Sequence, residues 1–122
     1  MLGYVTLGTN DLERACNFYD TLMGTIGFTR IFDDGKLVVW GKSLEESSVG
    51  VTTPFDDQPA TVGNGVMVAM QMPDKEAVKA FYSKALELGA TDEGAPGQRI
   101  EGFYAGYFRD LDGNKLNAFV FA

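Results

Sequence analysis

"DLERACNFYD", residues 11–20, and "DKEAVKAFYS", residues 74–83, are two versions of one segment. At a shift of 63 positions Asp11 falls on Asp74, Glu13 on Glu76, Phe18 on Phe81 and Tyr19 on Tyr82, and Ala15 meets the small apolar Val78. A repeat at a fixed offset divides the chain before any single element is assigned. In the first copy Leu12, Ala15, Cys16, Tyr19, Leu22 and Met23 recur at spacings of three and four; in the second, Ala77, Val78, Phe81, Ala85, Leu86 and Leu88 do so. That period predicts two amphipathic helices. Asn10, with Glu13 three residues later, has the form of a capping box. Pro73–Asp74 opens the second helix, and Gly89 stands where a C-terminal cap is expected. Cys16, on the buried stripe, reads as a small hydrophobe rather than a reactive thiol.

Working outward, each helix follows a strand-like run: "YVTLG" (4–8) before the first and "GVMVAMQM" (65–72) before the second. After each helix come three more β-like runs: Phe28–Phe32, Lys36–Gly41 and Ser48–Thr53, then Gln98–Glu101, Gly102–Arg109 and Asn114–Phe121. "DDGK" (33–36) and "LDGN" (111–114) are hairpin signals. The polar, Pro- and Gly-rich segment near 55–64 reads as a linker. The chain is thus expected to be one α+β domain, residues 1–122, of two tandem β-α-β-β-β modules: about 1–54 and about 65–122. Neither module is large enough to cover its own sheet, so a shared curled mixed sheet is expected.

Composition narrows the function. The chain has 122 residues, 45% of them hydrophobic, enough for a real core without covalent staples. No apolar run approaches the ~18 residues that a bilayer span needs, and "MLGYVTL" lacks the basic start of a signal peptide. With Cys16 alone no internal disulfide can form, and a cytoplasmic location is expected. A net charge of −7 argues against nucleic acid and anionic membranes as partners and would attract a cationic small molecule. There is no histidine. The commonest general base, Ser–His and Cys–His nucleophile pairs and the commonest transition-metal ligand are therefore missing. A Cys/His zinc set cannot be assembled. Asp110, Asp112 and Asn114 are spaced faintly like a calcium loop, but its later ligands are missing and turn formation is the simpler reading.

The duplicated pattern resembles the vicinal-oxygen-chelate superfamily, which includes glyoxalase I, bleomycin- and fosfomycin-resistance proteins and extradiol dioxygenases. "VTLGTNDLERACNFYDTLMGTIGF" resembles the family's opening strand and helix, and "YFRDLDGNKLNAF" its closing hairpin, although members usually have proline where Leu111 stands. The resemblance implies sheets curled around a cavity that commonly holds a divalent metal. It places the family's histidines at Tyr4 and Met67, its closing glutamate at Asn117, and the remaining ligand near Val49 or Val51. None of these is a good ligand. A neutral phenol coordinates poorly, a thioether suits soft Cu(I), and an amide brings no charge to balance a divalent ion. No metal, no cofactor and no catalytic residue are expected.

What remains is a cavity lining read from strand parity. Asn117 shares a face with Lys115, Phe119 and Phe121 on the last strand, Tyr4 with Thr6 on the first, and Met67 with Ala69 and Gln71 on the fifth. By resemblance to the fosfomycin-resistance proteins, Tyr107 faces the cavity and brings Phe103 with it; Trp40 and Arg30 are further candidates from the first module. An apolar cleft with a few oriented polar groups is the usual make-up of a small-molecule site. The competing view is that these side chains close on one another and fill the space. Three functions are consistent with the residues. The favoured one is a metal-free protein that binds or sequesters a cationic or aromatic small molecule. A glyoxalase-type lyase or isomerase with an atypical metal site is second, with a dioxygenase less favoured still. A structural or regulatory homodimer with a vestigial pocket is third, and the resemblance implies a homodimer under each.

Overall fold

The computed structural model describes residues 1–122. In the first module β1 (Tyr4–Gly8) leads into α1 (Leu12–Gly24), followed by β2 (Thr29–Asp33), β3 (Leu37–Gly41) and β4 (Ser48–Thr52). The second repeats the order with β5 (Val68–Gln71), α2 (Lys75–Glu87), β6 (Thr91–Ile100), β7 (Phe103–Arg109) and β8 (Lys115–Val120). The two helices are 63 positions apart at both ends. The architecture is α+β. The strand ladders are two rather than one continuous sheet, each four-stranded and mixed, in the orders β1-β4-β3-β2 and β5-β8-β7-β6. In both, the strand before the helix runs parallel to the module's last strand, and the other pairings are antiparallel.

Each helix covers one face of its own module's sheet. α1 buries Ala15, Cys16, Phe18, Tyr19, Leu22 and Met23. Tyr19 meets Trp40 of β3, with ring centroids 5.6 Å apart. α2 buries Val78, Phe81, Tyr82 and Ala85, and Phe81 lies 6.1 Å from Phe108 of β7. Each large side chain sequestered in this way contributes roughly 1.5–3 kcal/mol of transfer free energy. Burial also pushes the Cys16 thiol above its ordinary pKa, as expected for a packing residue and not a nucleophile.

The helix starts differ in one respect from the capping-box expectation. Asp11, not Asn10, is the N-cap of α1, its carboxylate accepting from the Arg14 N–H at 3.0 Å. Asn10 instead closes a two-way clasp on Ala60: its amide donates to the Ala60 carbonyl, and its oxygen accepts from the Ala60 N–H at 2.7 Å. Asp74 caps α2 as expected, accepting from Ala77 N–H at 2.8 Å.

The largest departure is β6. Ten residues pair here, beginning at Thr91, whereas the sequence suggested a strand only near Gln98–Glu101. Gly94, Pro96 and Gly97 interrupt the pattern, and the ladder to β7 shifts register three times. As the outermost strand of its sheet, β6 tolerates proline and bulges that an inner strand would not.

Candidate functional site

The second module's sheet sorts its side chains by parity. On the face toward α2 stand Met70, Leu116, Ala118 and Phe108, all buried. The opposite face is read from the register. Ala69, Asn117 and Tyr107 form one row across β5, β8 and β7, and Gln71, Phe119 and Ala105 form the next. Phe103, two residues before Ala105, stacks on Phe119 with centroids 5.5 Å apart, and Phe121 joins both rings. Six candidates named from the sequence (Ala69, Gln71, Phe103, Tyr107, Asn117, Phe119) therefore share one sheet face. Met67 lies just before β5 and is partly exposed.

Asn117 is the unusual member of that face. It is 1% exposed, and its side-chain oxygen has no hydrogen-bond partner. A buried acceptor left unpaired costs about 1–3 kcal/mol, and nearly all such groups in proteins are satisfied. The row around it offers a methyl group and a phenol ring.

In the first module Tyr4 and Thr6 of β1 stand opposite Ser48 and Gly50 of β4. Trp40 does not join them. Register pairs it with Val49, on the other face of that sheet, where it is fully buried and its indole N–H donates to Asp20 of α1 at 2.9 Å. The expectation of Trp40 as a lining residue is thus corrected: its side chain belongs to the core beneath α1. Arg30 is likewise engaged, donating twice to Asp20 at 2.8 Å and once to Asp33. Val49 and Val51 also turn to the helix face, so the β4 residues sharing Tyr4's side are Ser48, Gly50 and Thr52.

The residues do not suit the metal that the resemblance implies. The corresponding positions present a phenol, a thioether, an amide and a serine or glycine, with no anion among them. No group of three His, Cys, Asp or Glu side chains comes together anywhere in the chain. In the closing hairpin the Asp110 carboxylate is committed to the turn. Asp110 is buried and accepts from the backbone N–H groups of Asp112 and Asn114, each at 2.9 Å, and from the Asn114 amide at 3.0 Å. Gly113, at φ +89°, completes this turn in a conformation that favours glycine.

The sequence located the face through alternation of side chains. Two cations flank the Tyr107 ring there, the Arg99 guanidinium and the Lys115 ammonium, 5.3 and 5.5 Å from its centroid. Parity with Asn117 placed Lys115 on this face from the sequence. Arg99 was missed, because the irregular β6 hides its direction.

Comparison with known proteins gives consistent results. A family model described as the Glyoxalase/Bleomycin resistance protein/Dioxygenase superfamily matches residues 1–118. A crystal structure of a glyoxalase/bleomycin resistance protein from Albidiferax ferrireducens T118 is 36% identical, with a TM-score of 0.89 over 98% of this chain and 97% of that one. A hypothetical protein, SA1046, from S. aureus is 26% identical with a TM-score of 0.76, over 98% and 92% of the two chains. A lactoylglutathione lyase from Agrobacterium tumefaciens shares the fold at 20% identity and a TM-score of 0.72, over 98% and 92%. No curated protein matches the sequence. No helix is long and apolar enough to cross a membrane.

Proposed function

We propose, from the premise that this chain belongs to the glyoxalase/bleomycin resistance protein/dioxygenase superfamily, that it binds a small organic molecule without a metal. The observation that carries this reading is the orphaned oxygen of the buried Asn117, whose row is completed by Ala69 and Tyr107. A ligand hydroxyl or N–H would supply the missing donor, and the apolar surface of Phe119 and Phe103 would hold the ligand's carbon skeleton. The Tyr107 phenol stands beside Asn117 as a second polar contact. Such a site holds and orients a guest. Holding a ligand away from its target is the corresponding activity.

The test joins metal analysis with ligand screening. Purified protein is expected to carry no stoichiometric Zn, Ni, Fe or Mn by mass spectrometry. Aromatic ligands with a hydroxyl or amine donor are expected to raise its Tm. Stoichiometric metal held by the wild-type protein and lost on Asn117→Leu would overturn the metal-free reading in favour of a lyase or isomerase. A broad library that never raises the Tm would overturn binding itself.

A further inference from the structure

We infer that the ligand of this face is an organic anion, recognised by Lys115 and Arg99 on either side of Tyr107; this rests on the small-molecule reading above. The chain as a whole is acidic, so a cation was the expectation from net charge alone. The local groups have the opposite sign. Lys115 lies two residues from Asn117 on the same strand face and has no carboxylate partner. Arg99 also lacks an ion pair; its guanidinium donates to the Ala95 carbonyl at 2.6 Å and lies over the Tyr107 ring. Arg109 stands directly opposite Lys115 across β7 and β8, and its charge is taken up by Glu93 and the Gly113 carbonyl. Like charges placed opposite each other in a ladder are destabilising unless something neutralises them. Glu93 neutralises one cation of three. Two remain.

The position of Arg99 is built into the strand. Its guanidinium crosses β6 over Gly94 and Gly97, where a Cβ would stand 3.2 and 2.9 Å from its terminal nitrogens. Side chains at those glycines would push Arg99 away from Tyr107. The cations mark one end of the ligand and Asn117 the other. The orphaned oxygen accepts only, so it repels a carboxylate and calls for a donor. Two residues along a strand span roughly 7 Å. A carboxylate and a hydroxyl or amine separated by about the length of a benzene ring fit that spacing, with the Tyr107 ring, level with Asn117 and beside Lys115, against the carbon skeleton.

The experiment titrates the full chain by calorimetry with 4-hydroxybenzoate and 4-hydroxyphenylacetate, with their methyl esters, and with tyramine. The acids are expected to bind at least about tenfold more tightly than the esters, as loss of a charge-assisted contact implies. Lys115→Gln and Arg99→Gln are each expected to weaken the acids by about that factor and leave the esters unchanged. Lys115→Arg should retain acid binding, which excludes a folding defect. Esters or tyramine binding as well as the acids would overturn the anion assignment and leave the small-molecule reading standing. Should none of these compounds bind, the anion assignment fails. A broad library that then finds a neutral or cationic ligand preserves the small-molecule reading, and an empty library removes both.

Discussion

Trp40 and Asp20 join strand to helix in the first module: the indole N–H donates to a carboxylate that Arg30 also grips through two nitrogens. One acid thus ties α1 to both β2 and β3. Arg30 is the largest cause holding the Asp20 carboxyl below the usual carboxylate range, with Trp40 adding to it.

A group whose folded-state pKa is depressed stabilises the fold above its unfolded value and loses that contribution as pH falls. Asp20 should therefore contribute fully above about pH 4 and progressively less below it. Because both partners are partly exposed, the expected effect of Asp20→Asn is modest, on the order of 1 kcal/mol at neutral pH. Urea denaturation from pH 2.5 to 7 (about the accessible range of a carboxylate) should show the variant converging on wild type in acid. Parallel curves would show that the charge of Asp20 is irrelevant.

The second module has an alkaline counterpart. The Tyr82 phenol donates to Asp92 at 2.6 Å, linking α2 to β6, and burial, then Asp92, push its pKa up to about 12. Here the folded value lies above the unfolded one, near 10, so the stabilisation is complete below about pH 10. It should fade as pH rises toward 12. Tyr82→Phe is expected to lower the Tm at pH 8 and to flatten its decline above pH 10, on the ordinary phenol scale of roughly 10. Thermal melts across that interval check both; an unchanged alkaline slope would contradict the assignment.

Asp11→Ala and Asp74→Ala should each cost about 1 kcal/mol, the usual value of an N-cap. Asn10→Ala should leave α1 intact and release the chain at Ala60. Hydrogen exchange distinguishes the two effects, because the Ala60 amide gains exchange only in the Asn10 variant.

Asn117→Leu replaces a buried amide by an apolar group with the same branching. With no partner for the oxygen in the wild type, the substitution should be neutral or stabilising by up to about 2 kcal/mol. Ligand affinity should fall in the same variant. A loss of stability exceeding roughly 1 kcal/mol in urea would mean that the amide holds the fold together.

Much of this fold was legible in the residues. The repeat around Phe18–Tyr19 and Phe81–Tyr82 located both helices, and alternation put Asn117, Phe119 and Tyr107 on a common face. What was hidden depended on partners distant in sequence. Trp40 has one parity along its own strand, but which face that parity meets is settled by pairing with β4, and β2 is irregular between Arg30 and Phe32. The start of β6 was masked by Gly94, Pro96 and Gly97, residues that mark turns elsewhere and are tolerated here by an edge position. The choice of Asp11 over Asn10 as cap was decided by Ala60, fifty residues downstream.

The ladder order has a consequence for how the chain reaches its structure. β5 pairs in its sheet only with β8, and Val68 meets Leu116 across nearly the whole module. A contact so distant in sequence is slow to form, and until it does β5 is a strand in search of a mate. Val68 and Met70 are then available to a neighbouring chain. The last hairpin is thus a latch as well as a wall. Slowing its closure, for example by loosening the Asp110 turn, should convert folding yield into aggregation before it changes the finished molecule.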